Sequence, residues 1–413
     1  MKIKNLGLLL LLILQSFCLK AQVEIGLDRL FTPAFVSEIK DKKVGLITNQ
    51  SAVNRQGETS FEVLKKNQKI FGYQLKVVFA PEHGIEGKLH ASEHVRDSSL
   101  NNIPIYSLHG SIKRPTKEML EGLDVLIYDI QNVGTRCYTY ETTLFYSMEE
   151  AAKYNLTVLV LDRPDPRGGT RVEGNMVEEG FRCFFSYHNV PFCHGMTIAE
   201  LAQYFNAESK VGCPLKIIPM KGWRRSMSFS ETGLTWVAPS PNIPDAETTL
   251  VYPATIFLGE TLEIVSVDLR GEYPFKRLGA PWISSEEFAL FLNQMNLPGV
   301  LFFPHSFTPK WGKYENQKCE GVFLKITNEM MFQPLLTQYV IFEKIIELYP
   351  DEFDRELENA VKKNRKKACD YITGSTDLFR VLESHGKIST TMKSLEEAQT
   401  KEFLDKRARY LLY

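Results

Sequence analysis

The sequence predicts an α/β protein built on a buried parallel sheet, and three segments carry that prediction. Val78-Phe79-Ala80-Pro81-Glu82-His83-Gly84, Leu126-Ile127-Tyr128-Asp129-Ile130-Gln131-Asn132-Val133-Gly134 and Val158-Leu159-Val160-Leu161-Asp162-Arg163-Pro164 each run from apolar residues into polar groups and a turn. Strands covered on both faces read as unbroken apolar runs, and ligands of open α/β sheets bind beyond the strands' carboxyl ends. Glu82, Asp129 and Asp162 gathered at one sheet edge would make a polar cleft. The plainer reading is three strand-ending turns.

The elements follow in order. Residues 44–48 form a strand ending at Asn49-Gln50-Ser51, and 58–66 a helix. Further strands fall at 75–80, 103–108, 124–130, 156–161 and 215–219, with a helix over 143–153 whose Leu144, Met148, Ala151 and Ala152 share one face. Thr197 three residues before Glu200 is a capping box that opens another helix. Strand–helix alternation of this kind builds βαβ units. Residues 236–245, with Pro239, Pro241 and Pro244, exclude helix and central strand. Carrying Trp236 and Asn242, they suit a structured loop over the cleft. Beyond them, 288–295, 332–349 and most of 352–413 read as helix and 322–326 as strand. The predicted division is a first domain over 22–240 and a second over 241–413.

At 413 residues, two domains are the ordinary expectation, and 44% apolar with 24% charged residues excludes wholesale disorder. Residues 1–21 read as a secretory signal peptide: Lys2 and Lys4, an apolar run from Leu6 to Leu14, and Ala21 before Gln22. The chain is therefore expected to be exported, periplasmic or secreted, with no membrane span after the signal is removed. Cleavage takes away Lys2, Lys4 and Lys20 and no acid, leaving the mature chain more acidic than the formal −1. The one basic block, Lys362-Lys363-Asn364-Arg365-Lys366-Lys367, reads as a solvated helix face, so nucleic acid is not an expected partner. Six cysteines remain without a C-x-x-C spacing, which argues against zinc and leaves disulfides and buried thiols both open.

Chemistry concentrates in the first domain. Glu82 and His83 close a strand beside Gly84, and a carboxyl there serves as a general acid where apolar neighbours raise its pKa. Glu86 is a second acid on the same loop, or a solvated glutamate. His90 and His94 lack the H-E-x-x-H pattern and read as polar surface or cleft residues. Asp129, Gln131, Arg136, Tyr138 and Glu141 form a stretch dense in hydrogen-bonding and aromatic groups, the mixture that recognises saccharides. Arg136 suits a bidentate carboxylate clamp, or pairs internally with Asp129. His194 precedes a helix start and either faces a ligand or is structural. G-x-G-x-x-G, Walker and G-x-S-x-G patterns are absent, which disfavours nucleotide binding and a serine hydrolase.

Taken together, these segments resemble the bacterial exo-β-N-acetylmuramidases of peptidoglycan recycling, long catalogued as a domain of unknown function. The markers run from about residue 25 to the C-terminus. They are Gly45-Leu46-Ile47-Thr48-Asn49-Gln50-Ser51, Ala80-Pro81-Glu82-His83-Gly84, Asp129 to Gly134 with Arg136 and Tyr138-Thr139-Tyr140, Leu161-Asp162-Arg163-Pro164, His194-Gly195-Met196-Thr197 and Pro239-Ser240-Pro241-Asn242. Gly279-Ala280-Pro281-Trp282 and Cys319-Glu320-Gly321-Val322 are later echoes. The resemblance implies a Rossmann-like N-terminal domain, a smaller α+β auxiliary domain, and an active site in the cleft between them. It implies removal of N-acetylmuramic acid from the non-reducing end of peptidoglycan fragments without metal or cofactor.

By the same analogy Glu82 is the leading catalytic acid with His83 beside it, while Asn49, Asp129, Gln131, Arg136, Tyr138, Glu141, Asp162, Arg163, His194 and Asn242 become substrate-binding candidates. Arg136 or Arg270 would engage the lactyl carboxylate. One segment departs from the pattern: the relatives' Gly-Thr-Asn and Ser-x-Gly-Arg-Gly-Thr are replaced by Glu260-Thr261-Leu262 and Ser266-Val267-Asp268-Leu269-Arg270-Gly271. That points to altered specificity. A non-catalytic saccharide-binding protein derived from the enzyme is the alternative the same departure suggests.

Overall fold

A computed structural model describes residues 23–90, 93 and 97–413; the expected leader over 1–21 and His94 lie outside the described residues. Seven strands form the first sheet: β1 (Lys43–Thr48), β2 (Gln74–Ala80), β3 (Ser98–Leu100), β4 (Ile103–Ser107), β5 (Val125–Asp129), β6 (Thr157–Leu161) and β7 (Leu215–Ile218). Their order is β3-β4-β2-β1-β5-β6-β7, and every pairing is parallel except that of the edge strand β3. The chain steps outward from β1 to β2 and β4, then returns to β5 on the other side of β1. Strand order therefore reverses beside β1, and the carboxyl ends of β1, β2 and β5 flank the crevice where such sheets bind ligands.

Alternation along each strand explains the burial. Leu46, Val78, Ile127 and Leu159 point to one face, into a core with Leu27, Phe61 and Leu64. Ile47, Phe79, Tyr128 and Val160 point to the other, into a core that continues through Phe257, Leu258 and Phe342 of the second domain. The helix after β1 runs Ser60–Phe71 and opens at a Thr59/Glu62 capping box. The expected Thr197/Glu200 box forms, with the Glu200 amide donating to the Thr197 hydroxyl at 3.3 Å.

The second domain carries a three-stranded antiparallel sheet, β8 (Arg277–Ala280), β9 (Val300–Phe307) and β10 (Cys319–Ile326), with β10 in the centre. β8 and β9 escape the sequence reading. The first has four residues, and the second contains Pro304, which an edge strand tolerates and a central one does not. The helix Ser285–Gln294 packs on β9 and β10, Pro334–Leu348 packs on that helix and on Ile388–Arg407, and Arg365–Thr373 lies against the turn Phe257–Thr261. The six described cysteines are unpaired.

Several side chains join the two halves, among them Arg407, which reaches the carbonyls of Gly169, His194 and Gly195, and Arg136. Arg136 is fully buried, and its guanidinium donates to the carbonyls of Asn175 and Val190 at 2.7 Å each, of Ile372 at 3.1 Å and of Thr373 at 2.6 Å. The last two are free C-terminal carbonyls of the helix Arg365–Thr373, which ends at Gly374 in a left-handed conformation (φ 83°). Replacing Arg136 by Met should strand these buried acceptors and cost at least about 3 kcal/mol in urea unfolding, because each unsatisfied carbonyl forfeits roughly 1–3 kcal/mol.

Candidate active site

The apolar run of β2 stops at Ala80, and the next residues turn sharply. His83 (φ 69°) and Gly84 (φ 77°) are both left-handed, and the Gly84 amide closes the turn on the Pro81 carbonyl at 3.0 Å. A left-handed histidine is strained by roughly 1–3 kcal/mol, and such strain collects at ligand sites. The turn buries Glu82 beyond the sheet edge. Its Oε2 accepts the Thr139 hydroxyl at 2.6 Å, and its Oε1 lies 3.9 Å from His109 Nε2. His83 donates through Nδ1 to the Leu89 carbonyl at 2.7 Å, which leaves Nε2 its lone pair. Burial holds that imidazole below its ordinary pKa, against the pull of the Glu82 charge.

Glu82 and His83 open onto a cavity of about 300 Å³ between the two domains. Cys137, Tyr138 and Thr139, just before the helix Tyr140–Lys153, line one wall. Ser240, Asn242 and Ile243 of the proline-rich loop line another. Tyr140 holds that loop by donating to the Pro239 carbonyl at 2.6 Å, as does the Gln50 amide to Ala238 at 2.6 Å. Tyr138, Tyr252 and Phe275 supply aromatic surface, meeting edge to face.

The far wall belongs to the second domain: Glu260, Thr261 and, from the helix Arg365–Thr373, Arg365, Ala368 and Ile372. Glu260 sits on a π-helical turn, Phe257–Thr261, that extends the helix Ala246–Thr255. Burial and the charge of Glu82 push its carboxyl up to about 7, opposed by Arg365. Arg365 is ion-paired to Glu263.

Of the residues singled out in the sequence, Glu82, His83, Tyr138 and Asn242 line the cavity; the others are used elsewhere. Asp129 takes both ends of the Arg163 guanidinium, at 2.5 and 2.9 Å, in a fully buried pair. Asn49 bridges the Tyr140 hydroxyl (2.9 Å) and Ser51, fixing the turn after β1. Gln131 donates to the carbonyls of Asn132 and Pro164. Asp162 caps the Ala199 amide and accepts the hydroxyls of Thr197 and the C-terminal Tyr413. Glu141 accepts His188 and His194, each through Nε2 at 2.9 Å, and the Asn132 amide at 2.5 Å. Arg136 is consumed by the carbonyls described above, so it is no clamp for a ligand. Arg270 lies over the Trp311 ring, 4.5 Å from its centroid and 3.5 Å from Glu93, while its amide donates to Asn242 at 3.0 Å. Glu86 is exposed and paired with Lys88. Among the described residues no group of three metal-binding side chains converges.

Glu260 and Arg365 are charged cavity residues that the sequence reading names only within an altered segment and a solvated basic block, without a role of their own. A single charge inside the apolar run Leu250-Val251-Tyr252-Pro253-Ala254-Thr255-Ile256-Phe257-Leu258-Gly259-Glu260 was the available signal for the first.

Comparison with known proteins covers almost the whole chain. A family model described as exo-beta-N-acetylmuramidase NamZ, N-terminal, matches residues 44–247, and its C-terminal counterpart matches 250–413. The peptidoglycan beta-N-acetylmuramidase NamZ of Bacillus subtilis (strain 168) is 37% identical over 396 residues, 95% of this chain and 92% of that protein. A DUF1343 family protein of Bacteroides fragilis NCTC 9343 superposes with TM-score 0.87 at 32% identity, over 95% of this chain and 99% of the other. A second from the same organism shares the fold at TM-score 0.70 and 23% identity, with the same coverage.

The Glu141 cluster has a measurable signature. Burial pushes its carboxyl up, yet the two histidines facing it hold it down to about 2. A carboxyl depressed in the folded state stabilises above its unfolded pKa, and that contribution drains away as pH falls. Glu141→Gln should therefore lose about 3 kcal/mol at pH 7. In urea unfolding at stepped pH, the gap to wild type should close from about pH 4.5 down towards 2.

Proposed function

The chain belongs to the exo-β-N-acetylmuramidase NamZ family, and on that premise we propose that it is an exported enzyme releasing N-acetylmuramic acid from the non-reducing ends of peptidoglycan fragments, in the service of cell-wall recycling. It is a glycoside hydrolase by descent, with both family halves present in order. The observation that carries the reading is Glu82: a buried carboxylate at the sheet's crevice, held by Thr139, facing a cavity large enough for a sugar ring. Tyr138 and Tyr252 offer aromatic surface to the apolar side of a pyranose, and Asn242 an amide to its hydroxyls. Muramic acid also carries a lactyl carboxylate. Arg365 is the cation on the cavity wall that answers it, a role the sequence reading gave to Arg136 or Arg270.

Purified protein incubated with a short glycan ending in N-acetylmuramic acid should release the monosaccharide, read by mass spectrometry. Glu82→Gln should lower that rate by at least about a hundredfold, since loss of a group acting on the reacting atoms removes roughly 10²–10⁴ or more. Undiminished turnover by the variant overturns the reading. Export rests on the leader pattern over residues 1–21. N-terminal sequencing of the protein recovered outside the cytoplasm should begin at Gln22, and an intact Met1 would contradict it.

A further inference from the structure

Hydrolysis of a glycoside commonly uses two carboxyl groups in opposite protonation states. Glu82 has one counterpart across the cavity, and three features of the fold put it there. Gln338, fully buried on the helix Pro334–Leu348, inserts its amide into the helix that follows Asp245: Nε2 donates to the Pro253 carbonyl at 2.9 Å, and Oε1 accepts the Phe257 amide at 2.7 Å. That parts the pair an α-helix would join, and the next amides reach five residues back, Thr261 to Ile256 and Leu262 to Phe257 at 3.0 Å each. Gly259 then packs on Val267 so closely that a Cβ would stand 2.3 Å from it. The residue after it, Glu260, lines the cavity.

We propose that Glu260 is the proton donor of the reaction and that Glu82 is the carboxylate that meets the anomeric carbon. The assignment rests on the glycosidase reading above, and it moves the acid's role away from Glu82, where the sequence alone puts it.

The surroundings divide the two groups. Glu82 accepts the Thr139 hydroxyl at 2.6 Å, and the His109 ring stands 3.9 Å from its other oxygen. The groups facing Glu260 are Glu82, Arg365, Cys137, Tyr138 and Tyr252. Burial pushes the Cys137 thiol up to about 12 and both phenols upward, so all three stay neutral. Arg365, the one cation, is shared with Glu263. The balance raises Glu260 to about 7, so that it keeps its proton below that pH. A carboxyl raised by burial beside a second carboxyl is the candidate acid of such a pair.

In the step itself the C1–O bond breaks, its electron pair goes to the leaving oxygen, and that oxygen takes the Glu260 proton. Glu82 meets the positive charge left on C1. One water then supplies the hydroxyl on C1 and returns a proton to the pair, so hydrolysis consumes water and no net acid.

Leaving-group dependence separates these roles. A sugar alkoxide needs protonation to depart, whereas dinitrophenolate does not. E260Q should lose about 10²–10⁴ in kcat/KM on a muramyl disaccharide yet stay within about tenfold of wild type on the dinitrophenyl muramide. E82Q should lose both activities. In wild type, the disaccharide rate should fall as pH rises through about 7 while the dinitrophenyl rate should not, because deprotonation of Glu260 removes only the proton donor. Equal losses by E260Q on the two substrates, with N-acetylmuramic acid still bound in calorimetry, would overturn the assignment; so would full disaccharide turnover. Should E260Q fail to fold, the wild-type comparison decides alone, and the same alkaline limb on both substrates counts against Glu260. Wild-type rates for E82Q on both substrates would instead sink the glycosidase reading of the cavity.

Discussion

The guanidinium of Arg136 is the constraint on which the site's geometry depends. A helix end leaves its last carbonyls without partners, and burying such an end requires a donor from elsewhere. Arg136 reaches from the loop after β5 to the carbonyls of Ile372 and Thr373, and so docks the helix Arg365–Thr373 against the first domain. That helix presents Arg365, Ala368 and Ile372 to the cavity. The same guanidinium binds Asn175 and Val190, which fixes the loops behind the wall. Burial lowers its pKa to about 10, still charged at any physiological pH. The docking of that helix thus rests on hydrogen bonds to a rigid fork, within an apolar core that runs through both domains.

Elsewhere at the sheet's rim the charges cancel locally. Asp129 has Arg163, Glu141 has two histidines and an amide, and Asp162 has two hydroxyls and a backbone amide. A buried ion costs several kcal/mol of desolvation unless such partners repay it, and these do so without involving solvent. Asp162 shows the partial case: burial still pushes its carboxyl up to about 7, because its partners are neutral. The cavity differs. Glu82 and Glu260 face the same space, and the arginine on its wall is paired to Glu263, so burial and the neighbouring carboxylate raise Glu260 instead of being cancelled.

The fold was legible because its signals are local. Apolar runs and capping boxes mark strands and helix starts, and β1, β2 and β4 to β7 all lie where the runs predict. The edge elements β3, β8 and β9 are short or carry proline, and their pairing partners, not their residues, make them strands. The site was legible only in part. Strand-end position found Glu82, but the same rule nominated Asp129 and Asp162, which end neighbouring strands and turn into the protein. Which way a polar side chain leaves the last residue of a strand depends on the turn that follows. Arg365 was hidden differently: a run of lysines reads as a solvated face, and only the docking of its helix turns one member inward.

Glu260 was hidden by an irregularity that is itself tertiary. Pro253 already lacks an amide donor, so the helix Ala246–Thr255 is weak where Gln338 enters. An inserted side chain would normally cost the helix a hydrogen bond. Here Gln338 supplies both an acceptor and a donor to the groups it parts, and the widened turn regains its own bonds one residue later. The penalty for breaking the helix is therefore small, while the reward is a rotation of everything beyond Phe257 relative to a regular helix. Glycine at 259 is required where the turn passes Val267, and a carboxylate at 260 is tolerable only because that rotation brings it to a wet cavity instead of the apolar core around Leu258 and Leu262. The break in the helix and the position of the acid are one feature.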